Sequence, residues 1–142
     1  MNNSRKPIDR FHAIIPAGGV GSRLWPLSRA SAPKFLHDLT GSGQTLLQDT
    51  WDRITPITSA ERTMIVTGLA HEEAVKAQLP KLSASNLVIE DSPKDSTAAI
   101  ALAAAILARR EPDVIIGSFA ADHVIQDSAA FRAAVAEGIE LA

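Results

Sequence analysis

Residues 14–36, IIPAGGVGSRLWPLSRASAPKFL, decide how this chain of 142 residues is read. An apolar segment containing Ile14 and Ile15 runs straight into a loop carrying Gly18, Gly19 and Gly21. Arg23 follows at once, and Lys34 comes eleven residues later, directly after Pro33. Glycine lets the backbone approach a ligand closely and turn its N–H groups inward. A guanidinium and an ammonium add positive charge at the same place. A strand ending in such a loop describes a site for a polyphosphate.

Two familiar phosphate loops do not fit this stretch. The dinucleotide fingerprint G-x-G-x-x-G needs a third glycine where a helix packs on its strand. Read from Gly19, that position is Leu24. The P-loop needs a Lys-Ser or Lys-Thr pair after its last glycine, and none follows these glycines.

Outward from the loop, apolar runs alternate with helical patterns. Strands are expected at Phe11–Pro16, Arg62–Thr67, Leu87–Glu90 and Val114–Ala121, the second short and β-branched. Helices are expected at Thr45–Ile54, Ala70–Leu79, Ser96–Arg110 and Ser128–Ala142. In the first, Leu46, Leu47, Thr50, Trp51 and Ile54 share one side, which assigns Trp51 to the core. Glu72 and Glu73 open the second, and Pro80 follows it. The third is alanine-rich and ends on basic residues. Asp127 is placed to cap the fourth. Strand–helix alternation implies right-handed crossovers and a mainly parallel sheet with helices on both faces. Ligands of such sheets bind beyond the carboxyl ends of the strands. Three chemically loaded segments reach that edge: the glycine loop, Glu90–Ser96, and Asp122, which closes the apolar fourth strand.

Composition narrows the class. Hydrophobic residues make up 46% and charged residues 21% of the chain, as in a globular domain. A formal net charge of -2 argues against general nucleic-acid binding. There are no cysteines, hence no disulfides and no thiolate metal site. No apolar run approaches the ~20 residues that cross a membrane, and the polar start carries no signal core. A cytoplasmic enzyme is expected. Residues 1–7 are expected to fray, and residues 8–142 to form one unit. Phe131, Val135, Ile139 and Leu141 pattern as an apolar helix face that stops without a capping glycine, so truncation at the C-terminus is expected.

Written as a motif, the loop reads A-G-G-x-G-[ST]-R-L-x-P-L…P-K, spanning Ala17 to Leu27 and then Pro33-Lys34. This resembles the signature of the sugar-nucleotide pyrophosphorylases. Its Leu24-Trp25-Pro26-Leu27-Ser28-Arg29 form is similar to their guanylyltransferase branch, which works on mannose 1-phosphate. A further segment, Glu90-Asp91-Ser92-Pro93-Lys94-Asp95-Ser96-Thr97-Ala98-Ala99-Ile100, resembles that branch's E-P-x-G-R-N-T-A-P-A-I. Asp91, Lys94, Asp95 and Ser96 depart from it. The resemblance implies a Rossmann-like, glycosyltransferase-A-like three-layer fold that this chain holds only in part. It implies transfer of a guanylyl group from GTP to mannose 1-phosphate, giving GDP-mannose and pyrophosphate with Mg²⁺. The runner-up within the class is a uridylyl- or thymidylyltransferase for glucose 1-phosphate. A non-catalytic nucleotide-sensing module of the same fold stands outside it. Nothing in the sequence fixes an oligomeric state.

The resemblance also distributes roles. It gives the backbone of Ala17, Gly18, Gly19, Val20 and Gly21 to the nucleotide, with Ser22 where many relatives carry threonine.

 Arg23 would hold the leaving β- and γ-phosphates, and Lys34 the charge developing around the α-phosphate. Asp122, in Ala120-Ala121-Asp122-His123, stands at the family's metal aspartate, a hard oxygen ligand suited to Mg²⁺. Guanine presents two adjacent donors that suit a carboxylate, which nominates Glu90 as base reader. Lys94 and Ser96 join it at the nucleotide. Arg29 is left between a phosphate contact and a structural ion pair. His123 is read as a supporting residue, since the attacking phosphate needs no general base. Trp25 either packs beneath the loop or lines the pocket. Asp38 and His71-Glu72-Glu73 are expected to be solvated, and His12, His37 and His71 lack metal-ligand spacing.

Overall fold

The computed structural model describes residues 6–19, 26–92 and 94–142. Four strands, β1 (Phe11–Ala17), β2 (Thr63–Gly68), β3 (Leu87–Glu90) and β4 (Ile115–Ser118), form one parallel sheet in the order β3-β2-β1-β4. Between and after them lie α1 (Leu46–Ile54), α2 (Glu72–Gln78), α3 (Asp95–Arg110) and α4 (Ser128–Leu141).

Side chains alternate across β1 and β2, and both faces are apolar. Ile15, Ala17 and Ile65 pack with Phe35, Leu47, Trp51, Val75, Leu79 and Ala121 on the α1–α2 side. Ile14, Met64 and Val66 pack with Ala99, Ala103 and Leu107 of α3 on the other. Ile14, Ile15 and Ile65 are completely buried. An all-parallel sheet needs this double cover, because its crossover helices lie on its faces.

Local chemistry sets the ends of the helices. Thr45 and Gln48 form a reciprocal capping box at the start of α1. The Asp127 carboxylate accepts the Ala130 N–H at 2.9 Å and caps α4. At its far end α3 is clipped to the sheet: Arg110 donates to Asn86 Oδ1 at 3.0 Å and to the Ser85 carbonyl at 2.7 Å.

Four expectations are corrected. The fourth strand ends at Ser118, so Ala120 and Ala121 belong to the turn that follows rather than to the strand. Asp122 therefore sits in that turn, past the strand end. The second helix opens with a 3-10 turn, Leu69–His71, before α2 proper. His71 is 7% exposed rather than solvated, because its Nε2–H donates to the Ala30 carbonyl at 2.8 Å and its ring meets Phe35 edge-on. On α4, Ile139 is buried but Leu141 is 84% exposed, so the apolar stripe does not stay on one packed face.

Two predictions follow from the packing. A Cβ on Gly117 would lie 2.8 Å from ring carbons of both Phe11 and Phe119. Gly117→Ala should therefore cost about 1–3 kcal/mol of stability in urea unfolding. At the amino end of the sheet, His12 Nε2 lies 3.1 Å from Glu111 Oε2, and both side chains are largely buried. Burial holds His12 below its ordinary 6.5 despite the Glu111 hydrogen bond, and Arg62 and Arg110 add to the lowering. Below pH 6.5 the unfolded chain then binds more protons than the folded one, so this contribution to stability falls as pH drops. Urea midpoints should decline on acidification below that pH, and the decline should be shallower in His12→Asn.

Candidate functional site

The order β3-β2-β1-β4 places the turning point of the topology between β1 and β4. Chains leaving these two strands separate there and open a crevice beyond their carboxyl ends. Alternation carries Pro16, Val66 and Glu90 to the α3 side of the sheet. A cavity of about 490 Å³ lies there, lined by Pro16, Gly18, Gly19, Val66, Glu90, Lys94, Asp95, Ser96, Ala99, Ile100, Ser118, Ala120 and His123. Its floor is apolar and its rim carries carboxylates, hydroxyls and one ammonium group. Two other concavities, of about 370 and 410 Å³, flank α1 and contain none of the residues nominated from sequence.

Gly18 and Glu90 meet in this cavity although 72 positions separate them: a Cβ on Gly18 would stand 3.9 Å from Glu90 Oε2. Strand register accounts for the meeting. Ala17 is level with Thr67, and Glu90 is level with the next residue, Gly68. The end of β1 is held by the buried Thr67 hydroxyl, which donates to the Ala17 carbonyl at 2.7 Å.

A second meeting lies beside the first. Lys34 Nζ stands 3.2 Å from Asp122 Oδ2, across 88 positions of sequence. Lys34 is rooted in a 3-10 turn, Lys34–Leu36, between buried Pro33 and buried Phe35. Two histidines brace the chain just before it. His37 Nε2–H donates to the Ala32 carbonyl at 2.9 Å, and His71 Nε2–H donates to that of Ala30. Carbonyls only accept, so both rings carry their proton on Nε2. On the other side, Thr50 donates to the Ala120 carbonyl at 3.5 Å and Arg53 to that of His123 at 3.4 Å. Helix α1 thus holds the turn that presents Asp122. Burial lowers the pKa of the Arg53 guanidinium, with Asp49 opposing the shift.

Asp122 is a hard oxygen donor already directed at a positive group, which fits an oxygen-coordinated divalent cation. Among the described residues, no group of three or more His, Cys, Asp or Glu could hold a metal. Further oxygens would complete the shell of a cation held by Asp122.

The nominated residues divide accordingly. Gly18, Gly19, Glu90, Lys94 and Ser96 line the cavity, and Ala17 is buried at the strand end that feeds it. Lys34 and Asp122 form the adjacent pair. Val20, Gly21, Ser22, Arg23 and Trp25 lie outside the described residues. The Arg29 Nε–H donates to the Pro26 carbonyl at 3.3 Å, within its own loop. His123 lines the cavity, and its carbonyl anchors Arg53. Asp38 is exposed as expected, but it accepts N–H groups from Thr40, Gly41, Ser42 and Gly43, which hold its carboxyl below the usual range. Sequence reasoning missed the bracing roles of His37, His71 and Thr67. His71 and Thr67 are single polar residues whose partners are distant carbonyls, so spacing carries no signal of them, and His37 turns back on a carbonyl of its own loop.

The family model described as nucleotidyl transferase matches residues 12–142. The chain is 40% identical over 124 residues to the xanthan biosynthesis protein XanB of Xanthomonas campestris, covering 86% of this chain and 26% of that protein. It is 39% identical over 130 residues to a mannose-1-phosphate guanylyltransferase of Escherichia coli, covering 89% of this chain and 27% of that protein. The chain therefore spans about a quarter of the length of these relatives. Among solved structures, one titled as a mannose-1-phosphate geranyltransferase from Thermus thermophilus superposes with a TM-score of 0.80 at 32% identity. That match covers 90% of this chain and 37% of the other.

One residue on the cavity rim is tested by stability alone. Asp95 has a φ of +65°, in the left-handed region, where the chain turns from β3 into α3. Asp and Asn tolerate this region; most side chains lose about 1–2 kcal/mol there. In urea unfolding, Asp95→Asn should be nearly neutral and Asp95→Val should lose about that amount.

Proposed function

Since this chain belongs to the nucleotidyl transferase family, we propose that it is the nucleotide-binding part of an enzyme that transfers a guanylyl group from GTP to mannose 1-phosphate. The products would be GDP-mannose and pyrophosphate. The observation that carries this reading is the meeting of Glu90 with the glycine loop in one cavity, with Lys34 and Asp122 beside it. The similarity to mannose-1-phosphate guanylyltransferases supports the choice of substrates.

In this reading the base lies over the apolar floor, and Glu90 accepts both N1–H and N2–H of guanine. Lys94 and Ser96 border the same cavity and add polar contacts. Backbone N–H groups of the glycine loop face the phosphates. A phosphate oxygen of the sugar phosphate attacks the α-phosphorus in line; the bond to the bridging oxygen breaks and pyrophosphate leaves with its electron pair. The protein's work is positioning and charge neutralisation. Lys34 neutralises charge growing around the α-phosphate, and Arg23 holds the leaving phosphates. Asp122 would hold Mg²⁺, which when bound polarises the phosphoryl oxygens and orients the phosphates. The proposed setting is the cytoplasm, and among the described residues no helix is long and apolar enough to cross a membrane.

The test is a titration of the chain with GTP, ATP, UTP and dTTP, with and without Mg²⁺, followed by tryptophan fluorescence. Saturable binding that prefers GTP is expected. A hydrogen bond to a charged group is worth about 1.5–3 kcal/mol, so Glu90→Gln should reduce the preference for GTP by about tenfold or more. Equal binding of all four nucleotides would remove Glu90 as the base reader. No binding by the folded chain would count against the nucleotide site itself.

A further inference from the structure

We propose that Lys34 is the resident counter-ion of Asp122, and that a divalent cation reaches this carboxylate only together with a polyphosphate that draws Lys34 away. The inference rests on the nucleotide site proposed above and adds an order of events to it. Lys34 Nζ occupies Asp122 Oδ2 at 3.2 Å. A divalent cation bound to that carboxylate would sit about 2.0–2.6 Å from its oxygen. It would then stand within a few ångströms of the ammonium, and two like charges cannot share that oxygen in comfort.

The two side chains are built to exchange partners. Their backbones are fixed. Lys34 lies between buried Pro33 and Phe35, with His37 and His71 bracing the preceding residues. Asp122 follows buried Ala121 and is flanked by the carbonyls that Thr50 and Arg53 hold. Their side-chain tips are not fixed: Lys34 is 31% and Asp122 41% exposed. A lysine stem of four carbons lets the ammonium swing while the turn beneath it stays in place.

A cation alone has little to gain here. Among the described residues no group of three or more ligating side chains gathers for it, and the Asp122 carboxylate is taken by Lys34. A polyphosphate changes both terms: it supplies acceptors for the displaced ammonium and oxygens for the cation. Metal and polyphosphate then raise each other's affinity by the same factor, as linkage requires.

The probe is Mn²⁺ alone, added to the full 142-residue chain without nucleotide, with free Mn²⁺ read by electron paramagnetic resonance. Lys34→Met should bind Mn²⁺ about tenfold or more tighter than the unsubstituted chain, within the range usual for coupled sites. Lys34→Arg, which keeps the charge, should bind as weakly as the unsubstituted chain. Adding Asp122→Asn to Lys34→Met should abolish the gain. The proposal is overturned if Lys34→Met binds no better than the unsubstituted chain, or if its gain survives Asp122→Asn. A second measurement does not depend on Lys34→Met folding. Acetylation of Lys34 by acetic anhydride, read by mass spectrometry, should be severalfold faster in Asp122→Asn than in the unsubstituted chain. Equal rates would mean that the pair does not form in solution and would sink the idea. Neither readout involves GTP, so failure of the guanine assignment leaves both interpretable.

Discussion

Everything in this fold depends on β1 being apolar on both of its faces. Ile14 and Ile15 point to opposite sides of the sheet, and neither touches water. A strand of that kind is stable only in the middle of a sheet covered twice. The cover comes from α1 and α2 on one side and α3 on the other. Such a core leaves almost no place for charge, since an unpaired buried charge is too costly. The polar residues that do chemistry are therefore driven to the strand ends. At the carboxyl ends of β1 and β4 the chains part, and the charged residues gather there without entering the core.

The sheet was legible because its signals are local. A short β-branched run or an alanine-rich stretch is visible in a window of ten residues. Thr45 with Gln48, and Asp127 with Ala130, are likewise short-range caps. Two of the misreadings share a cause, which is that tertiary partners lie far away in sequence. His71 reads as solvated next to two glutamates, yet Ala30 and Phe35 enclose it. The apolar run of β4 extends past Ser118, but Thr50 of α1 takes the Ala120 carbonyl and the chain turns there.

The candidate site was legible for the same reason that the topology was. Strand order and register bring Gly18 to Glu90, and each is named by its position at a strand end. Position alone could not reveal the pairing of Lys34 with Asp122. Both residues could be nominated as charges near a phosphate, but nothing in their spacing showed that each was the other's partner. Nor could spacing show that two histidines and two α1 side chains hold the backbones on either side of that pair.

The rim of the cavity shows how a departure from a motif can keep its geometry. Asp95 stands where the resembling segment carries asparagine, and its backbone is left-handed. Asparagine and aspartate both enter that region more readily than other side chains, because a short polar side chain can bond locally. The turn from β3 into α3 therefore survives the change, and Glu90, Lys94 and Ser96 stay around one cavity. What changes is charge: a second carboxylate now faces the cavity, beside Lys94. Lys94 replaces an arginine fork with a point charge, so the rim keeps its positive group but gives up bidentate geometry. The fold thus constrains where the side chains of this segment stand, while the substitutions adjust the field they create.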